Sequence, residues 1–179
     1  MKITDCDKTE LIAYTDASYD DKEKTAGWGV VIQIKKGRVT KEHAYKNYLP
    51  CSNNNFAELF AIHQALILLA GSKYRKNNSE ITILTDSQTA LDYINGLRGR
   101  EYEEKHKKEW TKQQWINHKR MQLYAYRINK MCDGTPCQFI KVKGHCKDFG
   151  EVHLVNNLAD TYAKIGRSLY YIQKKARER

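Results

Sequence analysis

Three β-prone runs follow one another near the start of this 179-residue chain, before any helical pattern begins. They cover residues 10–18, 27–35 and 38–49, and Lys36-Gly37 between the last two is suited to a tight turn. Consecutive strands with a short connection pair antiparallel. The sequence therefore predicts an antiparallel meander as the first half of the fold.

The rest of the chain alternates helical and strand patterns. Asn54 or Asn55 is suited to cap a helix over residues 56–69. Apolar spacing predicts a core side formed by Trp115, Ile116, Leu123 and Ile128 in a later helix. The further elements are expected at residues 80–85 (strand), up to 94 (helix), 112–131 (helix), 138–142 (strand) and 154–174 (helix).

Composition indicates one soluble domain with 41% apolar and 29% charged residues. No run is long and apolar enough to span a membrane or to act as a signal, so we expect a cytoplasmic protein. Five cysteines without an export signal favour reduced thiols. A zinc site is the alternative, although its spacing matches no common pattern; its candidate ligands are Cys132, Cys137, His145, Cys146 and His153.

The formal net charge of +10 favours a polyanionic partner, most commonly nucleic acid. Residues 96–120 concentrate this charge, with Arg98, Lys107 and Lys108 near Trp110 and Trp115. A solvated helix face with salt bridges explains the charges, whereas a nucleic-acid contact explains both the charges and the aromatic residues. We favour the nucleic-acid contact.

Four acidic residues lie at element ends with apolar neighbours: Asp16, Glu58, Asp86 and Asp160. Each also has an ordinary structural role open to it, since Asp caps strand ends and helices, and Glu near a helix N-terminus contributes only about 0.3 to 1 kcal/mol. If clustered, the four would repel one another unless a cation neutralised them. Mg²⁺ prefers carboxylate oxygens, and two ions about 4 Å apart suit phosphodiester chemistry.

Five short motifs in the right order carry a resemblance to the type 1 ribonuclease H family over residues 11–167. They are Tyr14-Thr15-Asp16-Ala17-Ser18, Asn53-Asn54-Asn55-Phe56-Ala57-Glu58-Leu59, Leu84-Thr85-Asp86-Ser87-Gln88, Val142-Lys143-Gly144-His145 and Asn156-Asn157-Leu158-Ala159-Asp160. The resemblance implies an α/β fold, with a five-stranded mixed sheet in which the meander is followed by strand-helix units and flanked by helices. It also implies hydrolysis of the RNA strand of RNA/DNA hybrids with two Mg²⁺ ions, for which Mn²⁺ can substitute.

The same resemblance suggests a role for each site residue. Metal ligands would be Asp16, Glu58, Asp86 and Asp160, with His145 as the loop histidine that assists water activation or product release. Substrate contacts would come from Asn53 near a phosphate pocket, from Asn54, Asn55 and Gln88 in the minor groove, and from Arg98, Lys107 and Lys108. The implied organisation is a polar tail (1–9), a catalytic domain (10–167) with a basic protrusion (about 96–120), and a basic extension (168–179) whose end, from Lys174, is expected to fray.

Three departures from the family pattern are Ala17 in place of glycine, Asn157 in place of an acid, and a longer segment between His145 and Asp160. Because of the longer segment, His153 is a second candidate for the role of His145. The motifs are also compatible with a DNA-processing enzyme of the same fold, with an inactive hybrid-binding module, and with the nuclease domain of a reverse transcriptase. We expect a monomer with no obligate protein partner.

Overall fold

The computed structural model describes residues 9–71, 79–144 and 150–178, and it contains a single five-stranded sheet in the order β3-β2-β1-β4-β5. The strands are β1 (Thr9–Asp20), β2 (Thr25–Lys36), β3 (Val39–Pro50), β4 (Glu80–Thr85) and β5 (Cys137–Lys141). The first three strands pair antiparallel, whereas β4 pairs parallel with β1, and β5 with β4. This mixed sheet confirms the predicted fold class.

The hairpin between β2 and β3 forms at the predicted turn. Lys36 pairs with Val39, and Gly37 has a φ of +57°, in the left-handed region that favours glycine. The antiparallel meander therefore follows from local turn chemistry.

The described residues form five helices: α1 (Asn54–Ala70), α2 (Gln88–Ile94), α3 (Arg100–His106), α4 (Lys112–Cys132) and α5 (Glu151–Arg177). The main helix contacts with the sheet come from α1 and α5, whereas α4 packs on α1 and α2. The main core joins alternate residues of β1 and β2 to α1, for example Ala13 and Val30 to Leu59. The opposite residues, such as Tyr14 and Val31, pack against Val155 and Ala159 of α5. The alternating side-chain directions of a strand therefore assign α1 and α5 to opposite faces.

Several local expectations are wrong in detail. Asn53, not Asn54 or Asn55, caps α1, because its side-chain oxygen accepts the Phe56 backbone N–H at 2.7 Å. Ile116 and Leu123 are 46% and 47% exposed, because α4 packs through other positions such as Met121 and Ile128. The chain does not fray at Lys174, since α5 continues as a helix to Arg177.

No helix in the described residues is both long and apolar enough to cross a membrane.

Candidate active site

Three carboxylates meet at one edge of the sheet. Thr15 and Thr85 are the last paired residues of the parallel strands β1 and β4, so the next residues, Asp16 and Asp86, lie side by side. Asp86 follows the end of β4, whereas Asp16 remains inside β1, which continues to Asp20 beside β2. Glu58 reaches them from the second turn of α1, on the face that packs against the sheet. One carboxylate oxygen from each of the three lies within 4.8 Å of the others.

Asp16 is almost fully buried, at 6% exposure. Its Oδ1 accepts a hydrogen bond from the Ala17 backbone N–H at 2.7 Å, which favours the ionised form. Burial, and secondarily the charge of Asp86, nevertheless raise the pKa of Asp16 from 3.8 to about 7. The positive charge of Lys164 lowers this pKa, but by less than burial and Asp86 raise it.

Glu58 is likewise a buried carboxylate beside other carboxylates, and its pKa is also raised. Its Oε2 is buried, and no hydrogen-bond partner for that atom exists among the described residues. Burial raises the pKa of Glu58 well above 4.5, and the charges of Asp16 and Asp86 raise it further. A buried carboxylate oxygen without a donor, facing two further carboxylates, fits coordination of a hard divalent cation.

Asp160 approaches the cluster from α5, but its carboxylate already has a cationic partner within the helix. Its Oδ2 accepts a hydrogen bond from Lys164 Nζ at 2.7 Å, one helical turn further along. The charge of Asp160 still contributes to the raised pKa values of Asp16 and Glu58. Lys164 was not identified from the sequence, although its i,i+4 spacing from Asp160 is the signal for such a pair.

The four acids line one open cleft of about 380 Å³. Asn54, Asn55 and Gln88 line it as well, and all three are exposed residues on its rim. Asn53 does not line the cleft, since its side chain caps α1. The remaining lining residues are Ala17, Ser87, Thr89 and Lys141.

Lys141 and Gly144 lie directly against Asp86, and the sequence did not predict either contact. Lys141 Nζ donates to the backbone carbonyl of Asp86 at 3.0 Å. Gly144 lies so close that a Cβ there would be 2.2 Å from Asp86 Oδ2. Ser87, not Asp86, caps α2 by accepting the Ala90 N–H, so the Asp86 carboxylate remains available to the cleft.

The candidate histidines differ in what the structure describes. His145 lies outside the described residues, as does Cys146. His153 lies in the first turn of α5, and its ring does not line the cleft. Within the described ranges, the three-carboxylate cluster is the only group of three or more potential metal ligands, and Cys51, Cys132 and Cys137 are thiols.

The predicted basic protrusion consists of α3 and the first half of α4, and aromatic packing holds the two together. Trp110 and Trp115 are half-buried rather than exposed, and Trp110 packs with its ring centre 4.6 Å from that of the buried His118. The hydroxyl of Tyr93 on α2 lies 2.7 Å from His118 Nδ1. The aromatic residues therefore form a small core, which the sequence did not distinguish from a binding surface.

The basic residues assigned to the substrate lie on the outside of that core. Arg98 is held by Asp92 at 3.2 Å and by the face of the Tyr102 ring. Lys107 pairs with Glu104, and Lys108 is exposed. Arg98 has a fixed orientation, because Asp92 anchors its guanidinium.

A mixed five-stranded sheet in which Asp16 and Asp86 lie side by side where the parallel pairing of β1 with β4 ends, with the buried Glu58 beside them, defines the ribonuclease H-like class of α/β proteins. The family model for RNase H matches residues 8–168. The chain therefore belongs to the RNase H family, a family of metal-dependent nucleases, and the predicted membership is confirmed.

Individual relatives agree with this assignment. The chain is 31% identical to the ribonuclease H of Roseobacter denitrificans, over 88% of this chain and 95% of the relative. Among solved structures, RNase H1 from Halobacterium salinarum matches with a TM-score of 0.62 at 18% identity, covering 89% of this chain and 98% of that one. LC11-RNase H1, solved in complex with an RNA/DNA hybrid, matches with a TM-score of 0.58 at 19% identity, covering 86% and 94%.

Proposed function

We propose that the protein is an endonuclease that hydrolyses the RNA strand of RNA/DNA hybrids in the cleft lined by Asp16, Glu58, Asp86 and Asp160. The observation that carries this proposal is the buried Glu58 Oε2, which has no donor among the described residues and faces the carboxylates of Asp16 and Asp86. Such an arrangement is stabilised by hard cations and not by protein donors. Membership of the RNase H family supports the choice of substrate.

Asp16, Glu58, Asp86 and Asp160 would hold two Mg²⁺ ions, for which Mn²⁺ can substitute. The bound ions supply stabilisation of charge on both sides of an in-line displacement at phosphorus. The chain contributes the orientation of the ligands: Ala17 N–H fixes one oxygen of Asp16, and Lys141 fixes the Asp86 backbone. Lys164 donates a hydrogen bond to Asp160 Oδ2, and a bound ion would compete with Lys164 for this carboxylate.

Substrate recognition would use the polar rim of the cleft. Asn54, Asn55 and Gln88 offer amide donors and acceptors beside the carboxylates, which suits 2′-hydroxyl and base-edge contacts in a minor groove. Arg98, Lys107 and Lys108 would contact phosphates further along the hybrid. Asn53 would contribute a phosphate contact through its amide nitrogen or backbone, because its side-chain oxygen is engaged in the cap.

We also propose His145 as the group that assists water activation or product release, since it directly follows Lys143-Gly144 and Gly144 lies against Asp86. In this proposal the protein acts as a cytoplasmic monomer. Residues 10–167 form the catalytic domain, which includes the protrusion at 96–120, and residues 1–9 and 168–179 form the flanking segments.

The test is cleavage of one end-labelled sequence prepared as RNA/DNA hybrid, double-stranded RNA, double-stranded DNA and single strands, with Mg²⁺ and then with EDTA. Cleavage of only the hybrid's RNA, and only with the metal, is the expected result. Cleavage of DNA would favour a DNA-processing enzyme of the same fold. Binding of the hybrid without cleavage would indicate a binding module.

Variants connect the activity to the cleft. Asp16→Asn and Asp86→Asn are each expected to abolish cleavage while hybrid binding remains, because each removes a metal ligand and no phosphate contact. Asp133→Asn is the matched control, since Asp133 is exposed at the end of α4 and pairs locally with Lys130. Retained cleavage in either cleft variant would refute the assignment.

A further inference from the structure

The last turns of α5 lie against the turn between β1 and β2. Tyr171 donates its hydroxyl hydrogen to Asp20, and Tyr170 donates to Glu23 Oε2 at 3.1 Å. Lys174 Nζ pairs with the same Glu23 oxygen at 2.7 Å. We call these five residues the C-terminal brace; its three helical members lie beyond residue 168, where the family match ends.

The brace and the cleft share one strand and one helix. Asp16 and Asp20 lie on the same face of β1, about 13 Å apart at a strand rise of about 3.3 Å per residue. Asp160 and Tyr171 lie on α5, about 16 Å apart at a helical rise of about 1.5 Å per residue. Thus α5 crosses the sheet mainly over β2, with Asp160 near Asp16 towards one end and Tyr171 bonded to Asp20 towards the other.

Between these two ends the backbone of α5 lies directly against glycines of β2. A Cβ at Gly27 would lie 2.0 Å from the carbonyl oxygen of Ala163, and one at Gly29 would lie 2.2 Å from that of Ala159. Arg167 Nη1 donates to the Tyr19 carbonyl at 3.3 Å. Because close-packed backbones transmit displacements as a unit, the seating of the far end of α5 influences where Asp160 stands.

Asp160 depends on this seating more than the other three acids do. Asp16, Glu58 and Asp86 come from β1, α1 and the end of β4, which share the main core. Asp160 comes from α5, which packs through the smaller cluster on the opposite face. A small shift of α5 would change the distance from Asp160 to the cluster without disturbing the cluster itself.

We propose that the C-terminal brace is a positioning element that seats α5 on β1, so that Asp160 is presented to the cluster of Asp16, Glu58 and Asp86 when metal binds. The role of Asp160 as a ligand in this proposal rests on the proposed function. The brace itself touches neither substrate nor metal. Its loss should weaken Mg²⁺ binding while leaving the fold intact.

The test compares Tyr171→Phe and Lys174→Met with the wild type in two readouts. The first is measured well below the unfolding temperature of each protein, and the second is a shift in that temperature. One readout is the Mg²⁺ concentration that gives half-maximal cleavage of the hybrid. The other is the Mg²⁺ concentration that gives half of the metal-dependent rise in unfolding temperature, which needs no substrate. Both concentrations should rise roughly three- to tenfold in each variant. This is less than the roughly 10- to 100-fold effect of removing a direct partner of a metal ligand, because the brace acts on Asp160 only through the placement of α5.

Control variants distinguish an effect on the position of Asp160 from an effect on overall stability. One is a conservative change within the brace, and two are distant changes on α4. Lys174→Arg keeps the charge opposite Glu23 and should stay close to wild type. Tyr126→Phe and Lys130→Met make the same chemical changes on α4, where Tyr126 is 60% exposed and Lys130 pairs locally with Asp133. Both should leave the Mg²⁺ dependence unchanged.

A double-variant cycle gives the decisive result. In an Asp160→Asn background, Tyr171→Phe should cause no further change in the Mg²⁺ dependence of the unfolding temperature, because its effect passes through Asp160. A variant that lowers the unfolding temperature but keeps the wild-type Mg²⁺ dependence would show a merely structural role and overturn the proposal. If the wild type fails to cleave the hybrid, the proposed function fails, whereas the unfolding readout still tests the brace.

Discussion

Replacing one buried acid should make the metal-free protein more stable. Asp16→Asn removes a carboxylate that is 6% exposed and faces Asp86, while Asn can still accept the Ala17 N–H and can donate to the unpartnered oxygen of Glu58. The shape is retained and the repulsion is lost. We therefore expect a higher free energy of unfolding in EDTA, together with loss of cleavage.

The size of the gain follows from the pKa of Asp16. Raising that pKa from 3.8 to about 7 in the folded state corresponds to roughly 4 kcal/mol, at about 1.36 kcal/mol per unit. This is an upper limit, because buffer cations that enter the open cleft relieve part of the repulsion. A gain of roughly 1 to 4 kcal/mol is large against a typical stability of about 5 to 15 kcal/mol.

The raised pKa of Asp16 also determines the direction in which the stability of the wild type changes with pH. The folded wild type holds the Asp16 proton up to about pH 7, whereas the unfolded chain releases it near pH 3.8. The wild type therefore loses stability as pH rises across this window. Asp16→Asn lacks the Asp16 contribution to that loss, while the contribution of the buried Glu58 remains in the variant. The difference between the two proteins should be near zero below pH 3.8 and complete above pH 7.

Urea unfolding in EDTA at about pH 3.5, 5.5 and 8 measures this difference. Asp20→Asn is the matched control, because it changes the same residue type on the same face of β1. Bonds from Tyr171 and from backbone N–H groups lower the pKa of Asp20, so its replacement should reduce stability at the highest pH. If Asp16→Asn gains nothing at the highest pH, or gains equally at every pH, the cluster does not carry this repulsion.

Three further predictions address the metal, the substrate and the Asp86 loop. Mg²⁺ should raise the unfolding temperature of the wild type, and should do so much less in Asp86→Asn, as differential scanning fluorimetry over a metal titration would measure. Neutralising Arg98, Lys107 and Lys108 together should weaken hybrid binding and reduce the slope of log affinity against log salt; an unchanged slope would mean that the protrusion does not touch the substrate. Gly144→Ala should lower the rate of cleavage at least about tenfold, because its Cβ would lie 2.2 Å from Asp86 Oδ2 and must displace that carboxylate, which is a metal ligand in the proposed function.

Gly71→Ala is the control for the loop variant. Gly71 has a φ of −79°, and a Cβ there would meet only the Ile67 carbonyl at an ordinary 3.7 Å among the described residues. Its activity should match the wild type. Equal activities of Gly144→Ala and Gly71→Ala would refute a steric role for Gly144.

Local chemistry in the sequence was enough to predict much of the architecture. The strand at 80–85 and the hairpin turn at Lys36-Gly37 are short-range features, since alternation, β-branching and a left-handed glycine act over a few residues. The motifs around Asp16 and Asp86 predicted carboxylates at strand ends, which is correct for Asp86 but wrong for Asp16, because pairing with β2 continues β1 to Asp20. The parallel pairing of β1 with β4 still brings the two residues together. Family membership followed from the order of these motifs.

The tertiary structure alone decided the features that depend on which surfaces meet. Helical spacing could not distinguish the exposed Ile116 and Leu123 from core positions, nor show that Trp110 packs on His118, because burial depends on the neighbouring helix and not on the pattern itself. Likewise, the basic end of the chain looked like a frayed tail, yet Lys174 is paired with Glu23 near the opposite end of the sequence. The sequence indicated which carboxylates are candidates for the chemistry and where most strands and turns form. Long-range packing decided that Glu58 lies buried beside Asp16 and Asp86, and that Asp160 approaches them from α5 on the opposite face of the sheet.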